Sequence, residues 1–270
     1  MKTAEFLLEI GTEEIPDWMI DNALKDLERL FHQSLEKHSL DTAVSYRTEG
    51  TPRRLVLVVK NLAECQSERQ ETITGPPHEV AFDDTGKPTK AGLGFSRRAG
   101  IDISKLETNA DGRVSITRQI AGRLTSEILA EIIPEIIISI HFPKTMYWTG
   151  KLGPRFIRPI RWLVALYDGI VIPFELAGIT AGTVSYGHRR LASETIKVSS
   201  FDDLRDKLQQ SYVILSGDER RNKIESEILA LMPDQLRVRA NPRLLSILVN
   251  ITEYPTPILG SFEKSYLTLP

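Results

Sequence analysis

Apolar positions define the first element. Phe6, Leu8 and Ile10 alternate with Glu5, Leu7 and Glu9, a period of two that predicts a strand, and Gly11 ends it. From about Asp17 to His38 the period changes. Ile20, Ala23, Leu24, Leu27, Leu30, Phe31 and Leu35 recur at helical spacing, and Pro16 and Asp17 suit a helix start. Val44 to Glu49 and Leu55 to Leu62 are β-rich, and Gly50-Thr51-Pro52 between them predicts a hairpin. The order is β-α-β-β, a small unit that Gly75-Pro76-Pro77 closes.

The remaining chain mixes both periods. Asp83-Asp84-Thr85-Gly86 reads as a turn, Lys90 to Ala99 as a short helix, and Asn109 to Gly112 as a hairpin turn between Lys105–Thr108 and Arg113–Ile120. Leu124 to Ile140 is apolar and mostly helical, with Pro134 predicting a kink or a second start. Residues 141–159 hold three prolines and two glycines, so they read as loop or extended chain. Trp162–Tyr167 and Ile170–Leu176 flank Asp168-Gly169, a pair suited to the positive φ angles of a tight hairpin. Ser200-Phe201-Asp202-Asp203 is close to a capping box and opens a helix to about Gln210. Tyr212–Leu215 predicts a short strand and Asp218–Leu231 a helix, and the apolar run Leu244–Ile251 ends before Pro255 and Pro257. The fold class expected is α+β, with antiparallel or mixed sheets and packed helices. Two domains are expected, residues 1–74 and residues 75–270.

Composition narrows the chemistry. With 41% apolar residues in 270 the chain is too apolar for disorder, and one cysteine, Cys65, excludes an intrachain disulfide framework and a multi-cysteine zinc site. No run of about 18 apolar residues predicts a membrane span, and the N-terminus lacks a signal-peptide core, so a cytoplasmic protein is expected. There is no Walker-type phosphate loop and no G-x-S-x-G elbow, and Gly92-Leu93-Gly94 meets Arg97 where a dinucleotide fingerprint needs its third glycine. The five histidines form no local cluster. Glu13-Glu14 stand just before a helix start, where a capping role accounts for them better than catalysis. No catalytic, cofactor-binding or metal-binding residue is predicted.

The formal charge of −2 conceals an uneven distribution. Residues 1–50 carry eleven acids and five bases. Three stretches have no acid: 87–101, with Lys87, Lys90, Arg97 and Arg98; 136–167, with Lys144, Lys151, Arg155, Arg158 and Arg161; and 176–193, with His188, Arg189 and Arg190. In Arg155-Phe156-Ile157-Arg158-Pro159-Ile160-Arg161-Trp162 the arginines recur every third residue. In extended chain that period places them on one side. Guanidinium groups grip phosphates, and Trp148, Phe156 and Trp162 offer stacking faces, so RNA contact fits. Internal ion pairing with the acidic N-terminal unit fits equally. The candidate RNA- or interface-binding residues are Lys144, Lys151, Arg155, Arg158, Arg161, His188 and Arg189.

Several longer motifs carry a family resemblance. Leu7-Leu8-Glu9-Ile10-Gly11-Thr12-Glu13-Glu14-Ile15-Pro16 resembles the N-terminal signature of the β subunit of the bacterial heterotetrameric glycyl-tRNA synthetase. Thr51-Pro52-Arg53-Arg54-Leu55, Gly75-Pro76-Pro77, Phe142-Pro143-Lys144, Arg155 to Leu166, Gly187-His188-Arg189 and Leu259-Gly260-Ser261-Phe262 follow in the family's order. Tyr147 and Arg190 depart from it: the family usually has a basic residue at the first position and an aromatic at the second. The resemblance implies an N-terminal fragment of a longer ligase subunit, without chemistry or cofactor of its own. It implies an α subunit that activates glycine with ATP and Mg, tRNA-Gly as RNA partner, and a holoenzyme of two α and two β subunits. It also implies that part of the chain is similar to the α+β B3/B4 domain of phenylalanyl-tRNA synthetase. Three roles follow from it: tRNA binding, architecture at a subunit interface, or editing-type hydrolysis of aminoacyl-tRNA.

Overall fold

A computed structural model describes residues 2–40, 43–83, 85–150, 152–192 and 194–268. In chain order, β1 (Thr3–Thr12), α1 (Asp17–Lys37), β2 (Ser45–Thr51) and β3 (Arg54–Ala63) come first. β4 (Arg69–Pro77), the single turn α2 (His78–Ala81), α3 (Lys90–Ala99), β5 (Glu107–Thr108) and β6 (Arg113–Ile120) follow. Next are α4 (Thr125–Ser139), the short pair β7 (Met146–Tyr147) and β8 (Arg155–Phe156), β9 (Ile160–Tyr167) and β10 (Ile170–Val171). Two small hairpins, β11 (Glu175–Leu176) with β12 (Ile179–Thr180) and β13 (Val184–Tyr186) with β14 (Thr195–Lys197), lead to α5 (Phe201–Gln210), α6 (Gly217–Leu231) and α7 (Pro242–Ile251). The α+β class expected from the sequence is what the structure has.

The compact units differ from the division expected after residue 74. One comprises residues 1–64 and 124–270, the other residues 65–123. Strand pairing is the reason. β9, far along the chain, is hydrogen-bonded to β1, while β4 pairs with β6 rather than with the strands before it.

The larger unit is built on a five-stranded antiparallel sheet in the order β10-β9-β1-β3-β2. β1 is interior, with Leu8 opposite Leu57 on one side and Ala165 on the other. One face, with Phe6, Leu8, Ile10, Leu57 and Ala165, packs on Ala23, Leu27 and Phe31 of α1 and Ile133 and Ile137 of α4. The opposite face, with Leu7, Val56, Val58, Trp162 and Val164, packs on Phe201, Leu204 and Leu208 of α5. Helices therefore cover both faces. Glu9, read as a polar-face position, is fully buried, with Arg54 of β3 and Ser185 of β13 against its carboxylate.

Local signals are realised with two differences. Asp168 and Gly169 adopt φ of 52° and 75° between β9 and β10, the geometry such a pair permits. Ser200 caps α5 by accepting from the Asp203 N–H at 3.2 Å. Pro134, however, lies inside one continuous helix rather than at a second start. Tyr212–Leu215 forms no strand: the Ile214 N–H reaches a single distant carbonyl, that of Glu253, at 2.8 Å, and builds no ladder. The described part of residues 141–159 is loop and extended chain, as expected, and includes the two-residue ladder β7–β8.

The smaller unit is a three-stranded sheet in the order β4-β6-β5 with α3 against it. Its core is Phe95, Ala81 and Val114, with Ile73, Phe82 and Leu106 around them. Asn109 caps the turn to β6 with its side chain, accepting from the Asp111 and Arg113 N–H groups at 3.0 Å each. The expected turn at Asp83-Asp84-Thr85-Gly86 includes Asp84, which lies outside the described residues; Asp83 accepts from the Thr85 and Lys87 N–H groups. Among the described residues no helix is long and apolar enough to cross a membrane.

Candidate functional site

Three chain segments meet at the end of β1. The Thr12 N–H donates to the Arg53 carbonyl at 2.8 Å, the Glu13 N–H to Pro159 at 3.1 Å, and the Ile15 N–H to Pro52 at 2.6 Å. This lacing fixes the turn between β2 and β3, and the approach to β9, on either side of Glu13-Glu14. Gly11 is needed just before it, because a Cβ there would overlap the Trp162 ring.

The side chains then converge. Arg161 Nε donates to Glu13 Oε1 at 2.7 Å. Arg189 Nη1 lies 3.4 Å from Glu13 Oε2 and 3.0 Å from Glu14 Oε1. Arg158 Nε donates to the Glu14 carbonyl at 2.9 Å. The Glu14 carboxyl is held below its ordinary pKa first by the Glu14 backbone N–H, and then by Arg189 and the nearby Arg53. Two of the three acid-free stretches are thereby brought to one place, on the acidic pair that sequence reading treated as a helix cap.

Two open recesses adjoin this cluster. The first, of about 370 Å³, is lined by Glu13, Arg53, Arg161, Trp162, Tyr186 and Arg189. The second, of about 240 Å³, is lined by Glu14, Arg53, His188, Arg189, Glu253 and Tyr254. Arg53 borders both. Its guanidinium lies 5.7 Å from the Trp162 ring centroid, its Nε has no hydrogen-bond partner, and among the described residues no carboxylate forms an ion pair with it. His188 presents Nδ1 to the N–H groups of Arg190 and Leu191 at 3.3 and 3.2 Å, so this nitrogen accepts and the proton belongs on Nε2.

Beneath the recesses runs a buried polar network. Arg54 is inaccessible to solvent, with Nη1 3.0 Å from Glu9 Oε1 and Nε 3.2 Å from Glu253 Oε1. Ser185 donates to Glu9 at 2.8 Å and Thr51 to Glu253 at 2.7 Å. Burial raises the Glu9 pKa above its ordinary value, against the opposing pull of Arg54, Ser185 and Trp162. Arg220, also fully buried, donates to the carbonyls of Val249, Ile214, Leu215 and Gly50 at 2.7–2.9 Å. Its burial lowers its pKa to about 10. These residues join β1, β3, the β13 hairpin and the end of α7 into one support for the cleft.

The other sequence candidates stand apart. Arg155 pairs with Tyr147 across the β7–β8 ladder, its guanidinium 5.2 Å from the Tyr147 ring centroid. Lys144 is exposed in the preceding loop. Lys151 lies outside the described residues. The three-residue period therefore does not put Arg155, Arg158 and Arg161 together. The chain between β8 and β9 bends at Ile157–Pro159, and only the last two arginines reach Glu13-Glu14. Sequence reading passed over Arg53, Arg54, Glu253 and Arg220 as site residues. For the first two the signal was Thr51-Pro52-Arg53-Arg54-Leu55, adjacent arginines on a hairpin; nothing local marks Glu253 or Arg220.

The arrangement offers guanidinium groups beside aromatic rings, the equipment for gripping an anion. Among the described residues no group of three or more histidine, cysteine or carboxylate side chains is placed to hold a metal ion. Comparison with known proteins agrees with the motif order. Residues 6–270 match the family model described as glycyl-tRNA synthetase beta subunit. The glycine–tRNA ligase beta subunit of Syntrophotalea carbinolica is 42% identical over 99% of this chain and 39% of its own length. That of Desulforamulus reducens is 39% identical over 98% of this chain and 39% of its own. The chloroplastic/mitochondrial glycine–tRNA ligase 2 of Arabidopsis thaliana is 38% identical over 98% of this chain and 25% of its own. The chain thus spans well under half the length of these relatives.

Proposed function

Since the chain belongs to the glycyl-tRNA synthetase beta subunit family, we propose that it serves as the N-terminal region of a glycine–tRNA ligase β subunit and supports ATP-dependent attachment of glycine to tRNA-Gly by contacting the RNA. Glycine activation, with ATP and Mg, falls to a separate α subunit, and the working enzyme is a cytoplasmic assembly of two α and two β subunits. This region brings no catalytic group of its own.

The observation that carries the reading is Arg53, an unpaired guanidinium bordering both recesses and flanked by Arg161 and Arg189. A phosphate entering there meets one free cation and two that exchange a carboxylate partner for it. A second reading, architecture at a subunit interface, is favoured by Glu13 and Glu14, which already occupy Arg161 and Arg189. One experiment separates the two. The reconstituted α–β complex is titrated with tRNA-Gly over a salt series, with and without Arg53→Gln, Arg161→Gln and Arg189→Gln together. Loss of phosphate contacts lowers the log–log salt slope by roughly two to three, at ~0.7–0.9 per contact. An unchanged slope with a dissociated complex assigns the cluster to assembly instead.

A further inference from the structure

At the Glu13 cleft, Arg158, Arg161 and Arg189 each have a protein partner. The cations of α3 have none. Among the described residues Lys90, Arg97 and Arg98 make no ion pair or side-chain hydrogen bond, whereas Arg113 and Arg118 of the same unit are engaged by the Gly75 carbonyl and by Glu71. α3 contains no acid. Its buried side, Gly92, Phe95, Ser96 and Ala99, fixes it to the small core, and that orientation turns Lys90, Arg97 and Arg98 outward along one flank. Lys90 and Arg97 are two turns apart, about 10 Å along the axis.

A glycine between these cations is the second observation. The two glycines of α3 stand in different surroundings. A Cβ at Gly92 would overlap the Ala81 carbonyl, so packing explains that residue. A Cβ at Gly94 would meet nothing within 4 Å. Glycine inside a helix is unfavourable relative to alanine, and no internal contact compensates for it here. What Gly94 supplies is bare backbone beside the three cations, where another chain can approach closely.

We propose that the outer flank of α3, formed by Lys90, Gly94, Arg97 and Arg98, is a docking surface for the phosphate backbone of RNA. The inference rests on the tRNA-binding reading above and names a second surface for it. The flank fits RNA because unpaired cations at helical spacing match a regularly charged strand, and the glycine removes the side chain that would hold that strand off. Guanidinium groups also grip phosphate bidentately.

The test uses the complete β subunit in complex with its α subunit. Lys90→Gln, Arg97→Gln and Arg98→Gln together are expected to weaken tRNA-Gly binding at least tenfold at low salt and to lower the salt slope by roughly two to three. Gly94→Ala keeps every charge and adds one methyl group to open space. It is expected to preserve or raise the melting temperature while weakening binding several-fold. A wild-type salt slope near zero overturns the tRNA-binding reading itself. A steep wild-type slope that the α3 variants leave unchanged overturns only this surface. Loss of α-subunit binding with tRNA affinity intact also overturns it, and assigns the flank to an acidic protein face.

Discussion

The Glu13 cleft and the outer flank of α3 both concentrate cations, and they keep them in opposite states. At the cleft Arg53 is unpaired among the described residues, but the guanidinium groups around it are fixed. Arg161 and Arg189 lean on Glu13 and Glu14, and Arg54 is enclosed between Glu9 and Glu253. On α3, Lys90, Arg97 and Arg98 have no side-chain partner among the described residues. Fixed charges sacrifice ligand energy for shape, because any incoming anion displaces an existing partner. Free charges keep their full field and steer polyanions from a distance, with strong salt dependence. One unit thus supplies a rigid recess whose arginines around Arg53 are held by protein partners, and the other an open basic helix.

The sharpest way to break this contrast is at its buried end. Arg54→Met removes the guanidinium that pairs with both Glu9 and Glu253. The expected loss is about 3–5 kcal/mol of unfolding free energy. Trp18, Trp148 and Trp162 all belong to the larger unit, so urea unfolding followed by tryptophan fluorescence reads this unit alone. Arg97→Gln on the exposed flank is expected to change stability by no more than about 0.5 kcal/mol. Equal losses from the two would mean that the cations of α3 are structural after all.

Glycine provides the next test, in the same two places. Gly11→Ala drives a methyl group into the Trp162 ring and is expected to cost about 1–3 kcal/mol by the same tryptophan readout. Gly94→Ala fills empty space on a helix and is expected to stabilise α3 by up to ~1 kcal/mol. Slower amide exchange along residues 90–99 would register it. Opposite signs for one chemical change show where the fold requires glycine and where it merely tolerates it.

The same contrast explains what was legible in the sequence. β1, α1, the β2–β3 hairpin and the Asp168-Gly169 turn rest on neighbouring residues, so periodicity and turn chemistry reveal them. Glu9 was not legible as a buried residue. Its burial comes with Arg54 and Ser185 packed on its carboxylate, the second of them 176 residues further along the chain. The pairing of β9 with β1 has no local signature either, and it is what sets residues 65–123 apart as a separate unit. Of the candidate site, Arg158, Arg161, His188 and Arg189 were legible as cations. Their partners were hidden, since Glu13-Glu14 also suits a helix start. Arg155 was misplaced because a three-residue period predicts a common side only while the chain stays straight.

The smallest predicted effects concern the acidic pair. Glu13→Gln with Glu14→Gln frees Arg161 and Arg189 and makes the cleft resemble α3. These ion pairs are largely exposed, so the stability change is expected to stay below ~1 kcal/mol, while tRNA affinity and its salt slope rise. A fall in affinity would mean that the carboxylates position the arginines for the ligand rather than compete with it. Acid titration separates the Glu14 contribution. Its carboxyl is held below the ordinary value of 4.5, so the folded state favours the ionised form. That contribution is fully present above about pH 4.5 and is lost as pH falls through the lower folded value. The gap in unfolding free energy between the wild type and Glu14→Gln should therefore be constant from neutral pH down to about 4.5 and close below it. A gap that persists unchanged through pH 3 would show that the amide loses something other than charge, and that the Arg189 contact orders the cleft by shape alone.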